Sequence, residues 1–251
     1  MNRLTKILAM TAALILLTAG SAMSLTLGTS YGGEPSLQEI FNDVVSGGTL
    51  DAVGGQSAAE TWHPSEALVD SYLVTMYRGD SGVLGIYSTD TGAEYDLQTT
   101  GTETSVSFGI NDAGSLWIGD KETDADFGNE FGFYWRNTSH ALTSYTEDAR
   151  NADGTGYGDS NALALTFLVR DGLTVETSLM DGTTVNARGN DDWILAFEDV
   201  AGSARGDGDF NDAVFYMEDM SATPEPATLL LLGSGLIGLA GFRRKFGKFG
   251  R

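Results

Sequence analysis

Beyond residue 67 the chain alternates short runs of apolar, aromatic and β-branched residues with clusters of Gly, Asp, Asn and Thr. The runs cover residues 68–77, 83–87, 104–110, 116–119, 131–135, 163–169, 193–197 and 213–217. Short runs separated by turn residues predict an all-β fold, an antiparallel β-sandwich or jelly-roll-like domain. One earlier segment has a different period. Leu37, Ile40, Phe41, Val44 and Val45 recur at helical spacing, and Ser36 with Glu39 forms an S-x-x-E capping box. A short N-terminal helix is therefore predicted over residues 36–45, with one face against a core. There is no strand–helix alternation of the doubly wound kind and no internal repeat. The Gly-rich segments lack the strand–loop–helix setting that a phosphate loop requires, which argues against nucleotide binding.

The two ends depart from the pattern of the body. Arg3 and Lys6 precede the apolar run 7–19, and Gly20, Ser21 and Ala22 follow it. This order of charged, apolar and small residues predicts a signal peptide over residues 1–24, read by the Sec translocon and signal peptidase. At the other end Pro224-Glu225-Pro226 leads into an uncharged, mostly apolar stretch, 227–242, closed by a basic end, 243–251. Such a stretch predicts a short transmembrane helix whose basic end stays cytoplasmic, with the body on the far side of the inner membrane. The chain thus divides into a signal peptide, a body over 25–222 and a tail over 223–251. The tail resembles the PEP-CTERM sorting signal of Gram-negative bacteria in its Pro224-Glu225-Pro226 triplet, Leu/Gly-rich span and Arg-rich terminus. The resemblance implies transient tethering in the inner membrane and recognition by an exosortase, a membrane-embedded cysteine transpeptidase-like enzyme. Cleavage near the triplet and delivery to the cell surface or extracellular matrix would follow.

Charge narrows the function classes. Residues 25–224 hold 34 acidic and seven basic side chains, a net of -27. That field repels nucleic acid and attracts divalent cations. With no cysteine, disulfides, thiolate metal sites and cysteine nucleophiles are excluded together. His63 and His140 have no nucleophile elbow nearby and read as surface residues.

The densest chemistry lies between the last two runs, where Glu198, Asp199, Asp207, Asp209, Asn211 and Asp212 fall within 15 residues. If runs 193–197 and 213–217 form a hairpin, its loop crowds five carboxylates, which raise one another's pKa unless solvent or a cation neutralises them. Calcium suits these oxygen ligands, and Asp207, Asp209 and Asn211 have the i, i+2, i+4 spacing of a calcium loop. The EF-hand reading fails all the same, because its sixth position is Asp212 rather than Gly and residues 213–217 look like a strand. The loop around Asp153, with Glu147 and Asp148 before it, becomes a contributor if the fold brings it beside Glu198. A third acidic stretch, residues 120–130, reads as a solvated loop.

The FEDxxG…DGDFND segment, with the upstream FGIND, EFGFYW and NADG stretches, resembles domain-of-unknown-function family 4114 over residues 35–219. The resemblance places Glu198, Asp199, Asp209, Asn211 and Asp212 at the family's signature acidic positions and implies no established reaction. Asp207 lies in an ARGDG loop where many members are richer in glycine. Three function classes follow. The first is a non-catalytic cell-surface or exopolysaccharide-matrix protein stabilised by calcium. The second is a carbohydrate-binding module, with Trp117, Tyr134, Trp135 and Tyr157 as candidate aromatics. The third is a glycan hydrolase using Glu198 as acid and Asp209 as base, which needs carboxyls about 5 to 9.5 Å apart. The first is the expected class.

Overall fold

Helix α1, Leu37–Val44, forms where the capping box predicts it. The Ser36 hydroxyl accepts from the Glu39 amide at 3.3 Å, and the Glu39 carboxylate accepts from the Ser36 amide at 2.8 Å. Two otherwise orphaned donors are satisfied reciprocally. Leu37, Ile40, Phe41 and Val44 are buried along one face. The computed structural model describes residues 25–30, 32–66, 68–76, 82–99, 105–138, 141–152, 156, 161–177, 183–186, 191–198 and 207–224. Residues 24–223 cluster as one unit. The signal peptide, the 227–242 span and the basic end lie outside the described residues. Among the described residues no helix is long and apolar enough to cross a membrane.

The strands in chain order are β1 (Val45–Ser46), β2 (Gln56–Ser57), β3 (Trp62–Pro64), β4 (Val69–Met76), β5 (Gly82–Ser88), β6 (Glu94–Thr99), β7 (Ser105–Ile110), β8 (Leu116–Ile118) and β9 (Lys121–Asp124). They continue as β10 (Phe131–Asn137), β11 (Leu142–Tyr145), β12 (Ala164–Val169), β13 (Thr174–Thr177), β14 (Thr183–Asn186), β15 (Asp192–Phe197), β16 (Ala213–Met217) and β17 (Met220–Ala222). An eight-stranded sheet has the order β2-β12-β15-β16-β4-β7-β8-β9. A six-stranded sheet runs β17-β3-β10-β5-β6 with β11 on β10, and β1-β13-β14 make a small third sheet. The pairings are antiparallel. The fold is the predicted all-β, antiparallel one with a short N-terminal helix.

The eight-stranded sheet is the middle layer. On β15, Trp193, Leu195 and Phe197 face the six-stranded sheet, as do Ala213, Phe215 and Met217 on β16. Ile194, Ala196, Val214 and Tyr216 face the opposite way, into a second core with α1 and Val175 of the small sheet. Burial on both faces explains why these two strands read as unbroken apolar runs. Rings interlock between layers: Trp135 with Phe215 at 5.7 Å, Trp62 with Trp193 at 5.6 Å, and Phe41 edge-on to Phe167 at 4.9 Å.

The outer face of the six-stranded sheet is closed by an aromatic–glycine arrangement. Tyr134 of β10 pairs across from Gly85 of β5, and Gly132 pairs across from Tyr87. Each tyrosine is fully buried although it lies on an outer face. A Cβ at Gly85 would stand 2.0 Å from the Tyr134 ring. The Tyr134 hydroxyl donates to Asp96 at 2.6 Å, so the ring has little freedom to move aside. Gly85→Ala is expected to lower the unfolding free energy by about 1–3 kcal/mol, measured by urea denaturation, and an unchanged midpoint would show that the ring yields freely. The stretch 120–130, expected as a solvated loop, contains β9 and the fully buried Phe127. Its charges point outward while one aromatic pins it to the core.

Candidate metal centre

Strands β15 and β16 pair as a hairpin, with Phe197 opposite Ala213. The apolar run of β15 ends at Phe197, so Glu198 is delivered at the hairpin's mouth. There its amide donates to Leu163 O at 3.0 Å, and its carbonyl accepts from the Ser144 hydroxyl at 2.8 Å. On the returning side Gly208 and Phe210 both have positive φ, 69° and 56°. The left-handed conformation is unfavourable for a bulky residue such as Phe210. Here it turns the ring into the second core, where it is fully buried, while Asp209 and Asn211 flank it in the loop.

Glu198, Asp209 and Asp212 converge. Each offers a carboxylate oxygen within 4.8 Å of the others, and their exposures are only 2%, 1% and 4%. Oxygens arranged on a sphere of about 2.3–2.6 Å around a calcium ion lie at most about 5 Å apart, so the three fit one cation. Asn211 stands beside them, fully buried, its Nδ2 donating to Asp209 Oδ2 at 2.7 Å and to the Pro35 carbonyl at 2.7 Å. Its Oδ1 is buried with no hydrogen-bond partner among the described residues. An amide oxygen in that condition is a costly acceptor and a good hard-cation ligand. Burial pushes the Asp209 carboxyl above its usual range. The Asp207 and Glu34 charges push the same way, while the Ser30 hydroxyl and the Asn211 amide oppose the shift.

Of the residues singled out from sequence, Glu198, Asp209, Asn211 and Asp212 are brought together. Asp207 joins Asp209 in a neighbouring triad with Glu34, again with oxygens within 4.8 Å. Asp199 and Asp153 lie outside the described residues, as do Glu225 and Pro226; Pro224 is exposed at the end of the body. Glu34 and the Pro35 carbonyl were not legible as site members. Pro35 and Asn211 are 176 positions apart, and no spacing motif spans such a gap. Asn151, in the NADG stretch, is committed locally, its side chain bonding both the amide and the carbonyl of Tyr145. Among the candidate carbohydrate-binding aromatics, Tyr134 and Trp135 are core residues at 0% and 1% exposure, Trp117 is 37% exposed, and Tyr157 lies outside the described residues. That burial removes two of the four from an open binding face.

A separate acidic cluster occupies the opposite end of the same hairpin. Asp191, Asp192 and Asp219 approach one another, and Glu218 is adjacent. Donors from the protein already serve it: the Tyr216 hydroxyl reaches Asp192 at 2.9 Å, and the Ser65 hydroxyl reaches Asp191 at 2.8 Å. Burial, then the Asp192, Asp219 and Asp70 charges, raise the Glu218 carboxyl to about 7. Burial, then Glu66 and Asp192, raise Asp219 to about 6.

Comparison with known families accounts for two stretches of the chain. Residues 128–219 match the family described as a domain of unknown function, DUF4114, and residues 222–245 match the PEP-CTERM protein-sorting motif. No curated protein matches the chain. The DUF4114 match contains β10 through β16 and all of the converging hairpin residues, but not Glu34. The sorting motif implies export, membrane anchoring and processing by an exosortase in a Gram-negative bacterium. The chain carries a DUF4114 segment followed directly by a PEP-CTERM protein-sorting motif.

Proposed function

We propose that this exported protein is a non-catalytic cell-surface or matrix component whose β-sandwich body is stabilised by calcium held at Glu198, Asp209, Asn211 and Asp212. The observation that carries the reading is the convergence of three buried carboxylates beside Asn211 Oδ1, which has no hydrogen-bond partner among the described residues. Carboxylates this close and this buried repel one another when ionised, and a divalent ion converts that repulsion into ligation. Burial also argues against acid–base work on a glycan, since a general acid must come within hydrogen-bond reach of its substrate. Exopolysaccharide is the natural surrounding of such a protein after sorting.

The test is thermal unfolding of the full chain in detergent micelles, in calcium chloride and in chelator. At 100 times the dissociation constant, calcium is expected to add about 2.7 kcal/mol by mass action. For a body of this size the midpoint should rise by roughly 5–10 °C, and Asp209→Asn should abolish the response. A parent midpoint that ignores calcium would overturn the reading.

A further inference from the structure

Residues 25–30 and 32–36 run ahead of α1 and lie against the returning side of the β15–β16 loop. Little apolar surface holds them there: Leu25 and Leu27 border the second core, and both are only partly buried. Polar ties do more. Leu25 exchanges two hydrogen bonds with the Gln56 side chain, at 2.6 and 2.9 Å. The Gly28 amide donates to the Gly208 carbonyl at 2.8 Å, next to Asp209 in the chain. The Ser30 hydroxyl favours the ionised form of Asp209, which is the form that ligates a cation. The segment then turns through Gly32 and Gly33, at φ 72° and 87°, and the Pro35 carbonyl accepts from Asn211 Nδ2 at 2.7 Å.

Asn211 links this segment to the cation residues. A carboxamide is planar, with two N–H donors at one end and a carbonyl acceptor at the other. Nδ2 commits both donors, to Asp209 Oδ2 and to the Pro35 carbonyl, each at 2.7 Å. Two acceptors select the nitrogen end, so the amide plane is fixed and Oδ1 faces away from both. Oδ1 is buried with no hydrogen-bond partner among the described residues. Withdrawing the Pro35 carbonyl would leave one N–H unmet and the plane free to turn.

We infer that the segment 25–36 is a strap that sets the cation site: docked, it fixes Asn211 Oδ1 as a neutral ligand, and the bound ion in turn holds the strap. The inference rests on the calcium reading of Glu198, Asp209, Asn211 and Asp212. Such coupling is reciprocal, since the factor by which docking raises calcium affinity is the factor by which calcium favours docking. The Gly32–Gly33 turn gives a handle on docking alone. A Cβ at Gly33 would meet nothing within 4 Å, yet a φ of 87° is strained for an L side chain. Gly33→Ala therefore disfavours the docked turn without a clash and without altering a carboxylate.

The experiment is hydrogen exchange of the full chain in detergent micelles, in calcium chloride and in chelator, beside calorimetric titration with calcium chloride. In the parent, calcium is expected to slow exchange at Gly28 and its neighbours at least about tenfold. Gly33→Ala should bind calcium about tenfold more weakly, with a melting midpoint in chelator close to the parent's. A segment that merely packs would instead lower that midpoint in chelator and leave the affinity unchanged, which overturns the strap. A parent that binds calcium while exchange at Gly28 ignores it also overturns the strap and leaves the proposed function standing. A parent that binds no calcium overturns both.

Discussion

Phe215→Ala is expected to destabilise the body by about 3–5 kcal/mol, seen as a large drop in the urea midpoint with little change in slope. The ring projects from the centre of β16 into the core between the two large sheets. There it meets Trp135 of the six-stranded sheet at 5.7 Å and Phe197 of its own sheet at 6.2 Å. Neither neighbour can collapse into the space, since Trp135 and Phe197 are themselves fully packed, at 1% and 0% exposure. A cavity therefore persists, and the loss includes both the transfer free energy of the ring and the vacated contacts. Total stabilities of such domains are about 5–15 kcal/mol, so the variant should be marginal at 37 °C. A loss below about 1 kcal/mol would mean that the sheets close over the gap.

Raising the pH from 5 to 8 in calcium-free buffer is expected to lower the thermal midpoint, and Glu218→Gln to remove much of that fall. In the folded chain Glu218 titrates near 7 and Asp219 near 6, against ordinary values of 4.5 and 3.8. Between the unfolded and folded values the native state binds more protons than the unfolded one, so stability declines as pH rises through that window. The Glu218 displacement corresponds to about 3 kcal/mol if fully buried. The side chain is half-exposed, and solvent screening reduces the contribution to about 1 kcal/mol. The charges that face it come from β4 (Asp70), β15 (Asp192) and the turn at Asp219. A glutamine keeps the shape and removes the charge, so the variant should exceed the parent at pH 8 and match it near pH 5. A parent midpoint that rises with pH would contradict the assignment.

The sequence patterns located the elements with strong apolar content and missed those without it. Each predicted β-run has a strand at its position, and α1 begins and ends within a residue of its capping signal. The missed strands are short, polar or peripheral. β6 reads EYDLQT and lies at a sheet edge, β13 and β14 read TVET and TTVN, and β3 ends in a proline. Such segments are recruited by partners already in place, and intrinsic pattern says little about them. The same division holds in the candidate site. Glu198, Asp209, Asn211 and Asp212 were visible because one hairpin carries them, and the strand pairing of β15 with β16 is local. Glu34 was invisible because it arrives through the packing of α1 on the far face of the middle sheet. No residue near it in sequence announces an acidic partner.

The position of β17 sets how the body answers to pulling. This three-residue strand is the outermost of the six-stranded sheet, paired with β3, and the chain leaves it at Thr223 directly into the sorting motif. Load applied through the tail therefore falls first on Thr223, whose amide donates to Thr61 O at 2.9 Å, then on Ala222 and Ser221, whose pairings with Trp62 and His63 come apart one after another. The peel stops at Met220, which is fully buried and whose carbonyl accepts from the Trp193 indole at 2.8 Å. Three residues can give up slack of about 10 Å before tension reaches the central sheet. A tethered molecule under shear thus has a mechanical fuse at its attachment point. The candidate cation residues, at the other end of the same hairpin, feel strain only after that fuse is spent.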